Sequence, residues 1–483
     1  MERAISDIGS AVNEIVTFVR REAQSMEIGE VERRLLSLVM AVGRAALEEF
    51  VAVKGTGYAG RETIDGQGNR CPYVRDRSRA YRSIFGTIPI RRAYYQATGS
   101  PGIFPLDKEL NLPERGYSYL VQEFSSRLAV TMSYEDAVEI LCSYFPVRMP
   151  IRSLERIVGD VCGDVDRFYQ QKAPQEVCPE AVVTVATVDK KGVVIRKASP
   201  EEANPKPPSA HPDKPGKKKM ATVISTYVTP RHIRTVDDIV SEVSDHGTPD
   251  SKPKPQNKLI WGSLTDGPER TVARLKKAVD ERLSQGNELV CILDGERSLW
   301  ALVYAYFGSA FFVLDIFHVM EHLGKAALCF HDEGSPHARQ FVTQRLRMLL
   351  AGKAGRVIGG LKQMLTKQEL TDTKRYDLNQ VIGYLERNRK HMRYEICLAR
   401  GYPIGSGVIE GACRNLINDR LELTGMSWTV PGAESMMRLR AVHINKDWDT
   451  FWKQMRKAES QRLYGISDTD SPDIRDQELQ RAA

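Results

Sequence analysis

Two runs of apolar and β-branched residues each end on an aspartate: Val-Thr-Val-Ala-Thr-Val-Asp189 and Leu-Val-Cys-Ile-Leu-Asp294. Runs of this kind read as strands buried on both faces, and such strands belong to sheets covered by helices. A carboxylate at the end of a buried strand leaves the core where a pocket can form. Residues 182–188, 192–196 and 219–228 read as three strands. They are followed by an amphipathic helix over 271–283, a strand over 288–294, a helix over 298–306 and a strand over 310–316. A meander that then alternates with helices predicts an α/β sheet with antiparallel and parallel parts.

The remaining chain divides by pattern. Residues 1–55 carry apolar positions at helical spacing, and Lys54-Gly-Thr-Gly-Tyr-Ala-Gly60 breaks them. Residues 81–95 read as two short strands around a turn, with the arginines pointing outward. Residues 101–113 form a linker, after which helical periodicity returns from Tyr117 to about Tyr169. Within it, Ser133 starts one helix and Ile151 a second, across the turn Phe145-Pro-Val-Arg-Met-Pro150. Two helices so joined suit a helix-turn-helix with Arg152 and Arg156 facing phosphate, and suit plain bundle packing equally. Proline-rich residues 200–219 and polar residues 245–258 read as exposed loops. Residues 318–402 are helical and rich in Arg and Lys, and the tail beyond about Leu463 is polar.

With 483 residues, two to four domains are expected. The 42% hydrophobic and 27% charged content is that of an ordinary soluble protein, and the net charge of +7 suits a polyanionic partner if it is clustered. No apolar stretch is long enough for a membrane span, and the first residues lack a signal-peptide layout. The eight cysteines include no Cys-x-x-Cys pair, so buried reduced thiols in a cytoplasmic protein are expected.

A third acid, Glu410 in Gly-Ser-Gly-Val-Ile-Glu-Gly, sits in an expected helix behind two glycines. Three carboxylates converging on one point suit a pair of Mg²⁺ ions for phosphoryl chemistry on nucleic acid, with Mn²⁺ able to substitute. Each strand-end acid has a plainer reading as well. Asp189 precedes Lys-Lys-Gly, a good hairpin turn, and Asp294 precedes Gly-Glu-Arg-Ser and could cap the next helix. At i+4, Arg414 shares a helical face with Glu410.

Four passages together resemble the DDE transposases of bacterial insertion sequences, of the Kra type and more distantly the Mutator superfamily. They are Val188-Asp-Lys-Lys-Gly-Val, Leu293-Asp-Gly-Glu, Asp315-Ile-Phe-His318-Val-Met-Glu-His-Leu, and Gly405-Ser-Gly-Val-Ile-Glu-Gly-Ala-Cys-Arg-Asn-Leu-Ile-Asn-Asp-Arg-Leu. The last runs on to Thr424-Gly-Met-Ser-Trp-Thr429, and the match spans roughly residues 80 to 445. The resemblance implies an α/β, ribonuclease-H-like catalytic domain with a helical insertion, preceded by a mainly helical DNA-binding region. In those terms 1–55 is an N-terminal helical region, 56–113 a small hairpin and linker, and 114–175 helix-turn-helix-like. Residues 176–317 are the first part of the core, 318–400 the insertion, 401–450 the final helix region and 451–483 a tail.

It further implies that Asp189, Asp294 and Glu410 are the metal ligands and that His318 contacts a phosphate or steadies the site. Arg414 and Arg420 would touch DNA, with Asn415 and Asn418 adding polar contacts. Trp428 would stack on an unpaired base or pack in the core. The implied reaction is hydrolysis at the ends of the element, then strand transfer to target DNA by the freed 3′-hydroxyl. Terminal repeats and target duplex are the implied partners, and holding two ends requires at least a homodimer. A DNA-binding protein without catalysis is the rival, and a nuclease that never joins is a third reading. Placement in the cytoplasm at the nucleoid follows from the same resemblance. The chain departs from relatives in two respects: Asp189-Lys-Lys-Gly stands where an Asp-Gly turn is common, and only Cys71 precedes residues 84–95, with Gln96-Ala-Thr-Gly99 where cysteines are expected. No structural zinc is therefore predicted.

Overall fold

The computed structural model describes residues 8–99, 101–173, 182–196, 218–245, 253–283, 286–423 and 425–466. Cys178, most of the 200–219 loop, part of the 245–258 insertion and the end of the tail lie outside them. The chain forms two compact units, residues 1–170 with 447–483, and residues 171–446.

The first unit begins with α1 (Ile8–Thr17) and α2 (Ile28–Lys54). Next come β1 (Glu62–Ile64), β2 (Arg70–Ser83) and β3 (Gly86–Tyr95), an antiparallel sheet in that order. The hairpin expected over 81–95 is thus the tip of a longer ribbon, with Ser83 opposite Gly86. One detail of that expectation is corrected. Arg91 is exposed, but Arg92 is buried, pairs with Asp107 at 2.5 Å and lies over the Phe104 ring. Burial beside an acid and an aromatic face suits guanidinium better than solvent does here. Helices α3 (Pro105–Glu109), α4 (Tyr119–Ala129), α5 (Tyr134–Tyr144), α6 (Ile151–Cys162) and α7 (Val165–Gln171) complete this part of the chain. Ser118 and Ser133 cap α4 and α5 through hydrogen bonds to Val121 and Asp136 N–H. On α6, Leu154, Ile157, Val158 and Val161 face inward, leaving Arg152 and Arg156 exposed. Helix Trp448–Tyr464 belongs to the same unit and buries Trp448, Phe451, Trp452 and Met455.

The second unit is built on a five-stranded sheet. Its members are β4 (Val183–Val194), β5 (Lys218–Thr229), β6 (Gln256–Ser263), β7 (Glu288–Leu293) and β8 (Phe311–Leu314), in spatial order β6-β5-β4-β7-β8. The first three run antiparallel, and β7 and β8 lie parallel to β4. Helix α8 (Val236–Asp245) follows β5, α9 (Gly267–Leu283) follows β6 and α10 (Arg297–Phe307) follows β7. The expected order of three strands, helix, strand, helix, strand is corrected: two strands come first, and a helix, α8, separates them from the third. Residues 182–188 and 192–196 are one strand, because β4 runs unbroken through Lys190 and Lys191 opposite β5. The third strand is β6, which lies partly in the segment expected to be a loop. Every residue from Ala221 to Thr229 is buried, so both faces of the sheet are covered. Asn445 accepts from Ile260 N–H and donates to Ile260 O, closing the outer edge of β6.

After β8 come α11 (Ile316–Leu328), α12 (Pro336–Leu350), α13 (Ala354–Lys367), α14 (Asp372–Asn388) and α15 (Tyr394–Arg400). Then come α16 (Gly407–Cys413), a π-helical turn Arg414–Asn418, α17 (Asp419–Leu421) and α18 (Val430–Ile444). Leu346, Leu349, Val357, Leu361, Leu378, Val381 and Leu385 form the interior of the α12–α14 group. No described helix is long and apolar enough to cross a membrane.

Candidate functional site

Strand register brings the first two acids together. Thr187 of β4 pairs with Ile292 of the parallel strand β7, so the same register set two residues on puts Asp189 beside Asp294. Leu293 pairs with Leu314 of β8, and Asp315 N–H continues the ladder to Leu293 O at 2.8 Å. Asp189 on β4, Asp294 just past β7 and Asp315 just past β8 therefore stand at the same end of three neighbouring strands. The hairpin turn considered after Asp189 does not exist. Lys190 instead reaches the start of α10, donating to Ser298 Oγ at 2.8 Å and Glu296 Oε2 at 3.3 Å. Nor does Asp294 cap α10. Glu296 does so, accepting from Leu299 N–H, while Asp294 Oδ1 accepts from Glu296 N–H at 2.9 Å.

Two helices add the rest. Helix α11 starts at Asp315, whose buried carboxylate accepts from Phe317 N–H, Ser406 N–H at 2.8 Å and His318 Nδ1 at 2.5 Å. Helix α16 carries Glu410, which accepts from Ser406 Oγ at 3.3 Å. Ligand atoms of Asp315, His318 and Glu410 lie within 4.8 Å of one another. One turn past Glu410, the buried Cys413 thiol donates to Asp189 Oδ2 at 3.4 Å, which links α16 to β4.

The electrostatics are those of crowded carboxylates around one cation. Burial pushes Asp294 up, and the neighbouring Asp189 charge adds to it. Burial raises Glu410 too, helped by Asp315. For Asp315 burial is the largest influence and acts upward, but the hydrogen bonds from His318 and Ser406 outweigh it and hold the group low. The bond to Asp315 raises His318 to about 9, so its imidazole is charged at neutral pH. Glu321, one turn further along α11, adds negative charge near His318 and Glu410. Burial and Asp189 push the Cys413 thiol up, so it stays protonated.

The site residues expected from sequence fall into two groups. Asp294 lies beside Asp189 and His318, and Glu410 groups with His318 and Asp315; among the described residues that last trio, not the three expected acids, is the set whose ligand atoms lie within 4.8 Å of one another. Arg414 is close by on the turn after α16, 76% of its side chain exposed, and pairs with Asp419 at 3.5 Å. Of the other two positions, Arg420 is a correction, buried where DNA contact was expected, and Trp428 takes the second of its two readings, packing in the core. Arg420 is 0% exposed and Trp428 7% exposed, with the guanidinium 4.9 Å above the indole ring and the indole N–H donating to Leu421 O. They hold each other in the core and offer DNA no surface in this conformation. Arg152 and Arg156 belong to the other unit. Sequence reasoning missed Ser406, Cys413 and Tyr384, whose hydroxyl donates to Asp294 O at 2.7 Å. Ser406 lay inside a passage already singled out, whereas nothing in the sequence around Tyr384 marks it.

The chain matches no protein-family model, and no curated protein is similar to it in sequence. Among solved structures it is similar to the Drosophila P element transposase strand transfer complex, at 9% identity. That similarity covers 71% of this chain and 81% of the other with a TM-score of 0.24, too low to define the fold.

Proposed function

We propose that residues 171–446 cut and join DNA by metal-dependent phosphoryl transfer, as a DDE-type transposase acting on the ends of its own insertion sequence. The observations that carry this reading are Asp294 beside both Asp189 and His318, and the Glu410 ligand atoms within 4.8 Å of those of His318 and Asp315, all from segments remote in sequence. Support comes also from the sheet: three antiparallel strands followed by two parallel ones fit a ribonuclease-H-like core, with residues 318–400 as its helical insertion.

The donor set fits Mg²⁺ or Mn²⁺. All three candidate ligands are hard carboxylates, and two of them are held above the ordinary carboxylate range by burial and neighbouring acids. A bound divalent cation relieves that repulsion. Two such ions held by Asp189, Asp294 and Glu410 would supply an activated water or 3′-hydroxyl and stabilisation of the leaving oxygen. The protein's own groups do the positioning. Asp315 and Ser406 fix His318 and Glu410, and the His318 charge receives a phosphate of the bound strand. Arg414 extends that contact along the backbone, and Arg152 and Arg156 serve DNA binding from α6. Terminal repeats and target duplex are the substrates, and joining two ends takes a homodimer or larger assembly.

The test is a labelled terminal-repeat duplex incubated with Mg²⁺. Wild-type protein nicks it, and Asp189→Asn, Asp294→Asn and Glu410→Gln each abolish nicking while binding is retained. Binding without nicking by wild type would favour a non-catalytic DNA-binding protein, and nicking without transfer of a pre-cleaved end would favour a nuclease.

A further inference from the structure

We propose that Tyr384, on the third helix of the α12–α14 group, is a positioning residue that sets the backbone carrying Asp294 and so tunes metal affinity at the site. The inference rests on the reading just given and adds to it a role for the 318–400 helices beyond offering basic surface.

Five observations meet at this contact. Tyr384 Oη donates to the carbonyl oxygen of Asp294 at 2.7 Å. The next residue, Gly295, has φ +99°, a conformation L side chains rarely adopt. A Cβ on Gly295 would lie 2.8 Å from the Tyr384 ring and 3.1 Å from Asn388 Nδ2, so the loop is pressed flat against α14. On its other side the Tyr384 ring stacks on His322 of α11, centroids 3.7 Å apart and planes 19° apart. His322 lies one turn beyond His318. Asn388, itself buried, donates to Tyr384 O and firms the last turn of α14.

The consequence is mechanical. Asp294 lies past the last residue of β7, where the ladder no longer holds the backbone. Its side chain accepts one local bond from Glu296 N–H, which orients the carboxylate only relative to its own loop. Lys190 of β4 ties the loop at Glu296, and the Tyr384 hydroxyl ties it from α14 at Asp294 itself; that hydroxyl is buried enough that burial pushes its pKa far up, keeping the donor proton in place. Ties of this sort to a ligand-bearing segment typically change metal affinity or activity by about 10–100-fold when removed. Tyr384 meets the backbone of Asp294 and not its carboxylate. It acts through Asp294.

The experiment compares wild type, Tyr384→Phe and Tyr384→Ala. Tyr384→Phe keeps the ring on His322 and deletes only the hydroxyl, so its circular dichroism and melting temperature stay close to wild type. Three readouts follow. Mn²⁺ affinity of the protein without DNA, measured by electron paramagnetic resonance, weakens about tenfold. Half-saturating Mg²⁺ for nicking rises by a similar factor with duplex affinity unchanged. Hydrogen exchange of amides 294–297 speeds up, while exchange in β4 does not. Unchanged exchange at 294–297 together with unchanged Mn²⁺ affinity in Tyr384→Phe overturns the proposal. If wild type neither binds metal nor nicks, the transposase reading falls, and the exchange at 294–297 still decides whether Tyr384 holds the loop.

Discussion

Arg420 shows how a basic residue expected to meet phosphate can be fully committed to the interior. Its stem and guanidinium are buried against Trp428, and the adjoining Met426 sulfur accepts from Nη1 at 3.3 Å. Arg420→Ala should lower stability by about 2–4 kcal/mol through the lost cation–π contact and the cavity left behind. Duplex affinity of the folded fraction should not change, and denaturant titration beside a binding isotherm checks both. The buried His391 gives a second residue-scale expectation. It stacks on Trp300 at 4.1 Å, and burial, then Lys390 and Arg393, depress it to about 4. The unfolded chain takes up that proton near pH 6.5 and the folded chain does not, so stability is full above pH 6.5 and falls as pH drops toward 4. The loss is at most about 3 kcal/mol. His391→Phe should flatten the melting temperature across that window, and His322, depressed alike, leaves a smaller slope behind.

Among the elements, β4 carried the clearest sequence signal, and it was misread at its far end. Lys-Lys-Gly after Asp189 has the composition of a turn, yet Lys190 and Lys191 stay in the strand opposite Thr222 and Ala221. The side chain of Lys190 is taken up by Glu296 and Ser298 on another element, a partnership no local pattern reveals. β6 was missed for a related reason: its strand grows out of polar residues and is justified by pairing with β5 and by Asn445 at its edge. The segment between α15 and α16 makes a firm prediction. Gly401 closes α15 at φ +70°, and a Cβ there would stand 2.6 Å from His232 N. Gly401→Ala should cost about 2 kcal/mol or more, read as a fall in melting temperature, because both the conformation and the space are denied to it.

In the whole molecule, the closing helix Trp448–Tyr464 packs with the N-terminal residues, Phe451 meeting Phe168 and Tyr464 donating to Leu112 O. A chain ending at residue 446 should therefore lose the stability of residues 1–170 and keep a cooperative transition from residues 171–446. Domain-resolved hydrogen exchange separates the two. The local patterns around Asp189, Asp294 and Glu410, apolar runs and backbone-permissive glycines, were legible beforehand, but not which ligands stand together: the described group within 4.8 Å is Asp315, His318 and Glu410. What a sequence determines alone is of this local kind, since hydrophobic period, chain breakers and charge are properties of neighbours along the chain. The alignment of Asp189, Asp294 and Asp315, the burial of Arg420 under Trp428 and the reach of Tyr384 to Asp294 were settled only by tertiary structure. Those contacts join residues remote in sequence, and strand register and helix packing, not local preference, set which side chains meet.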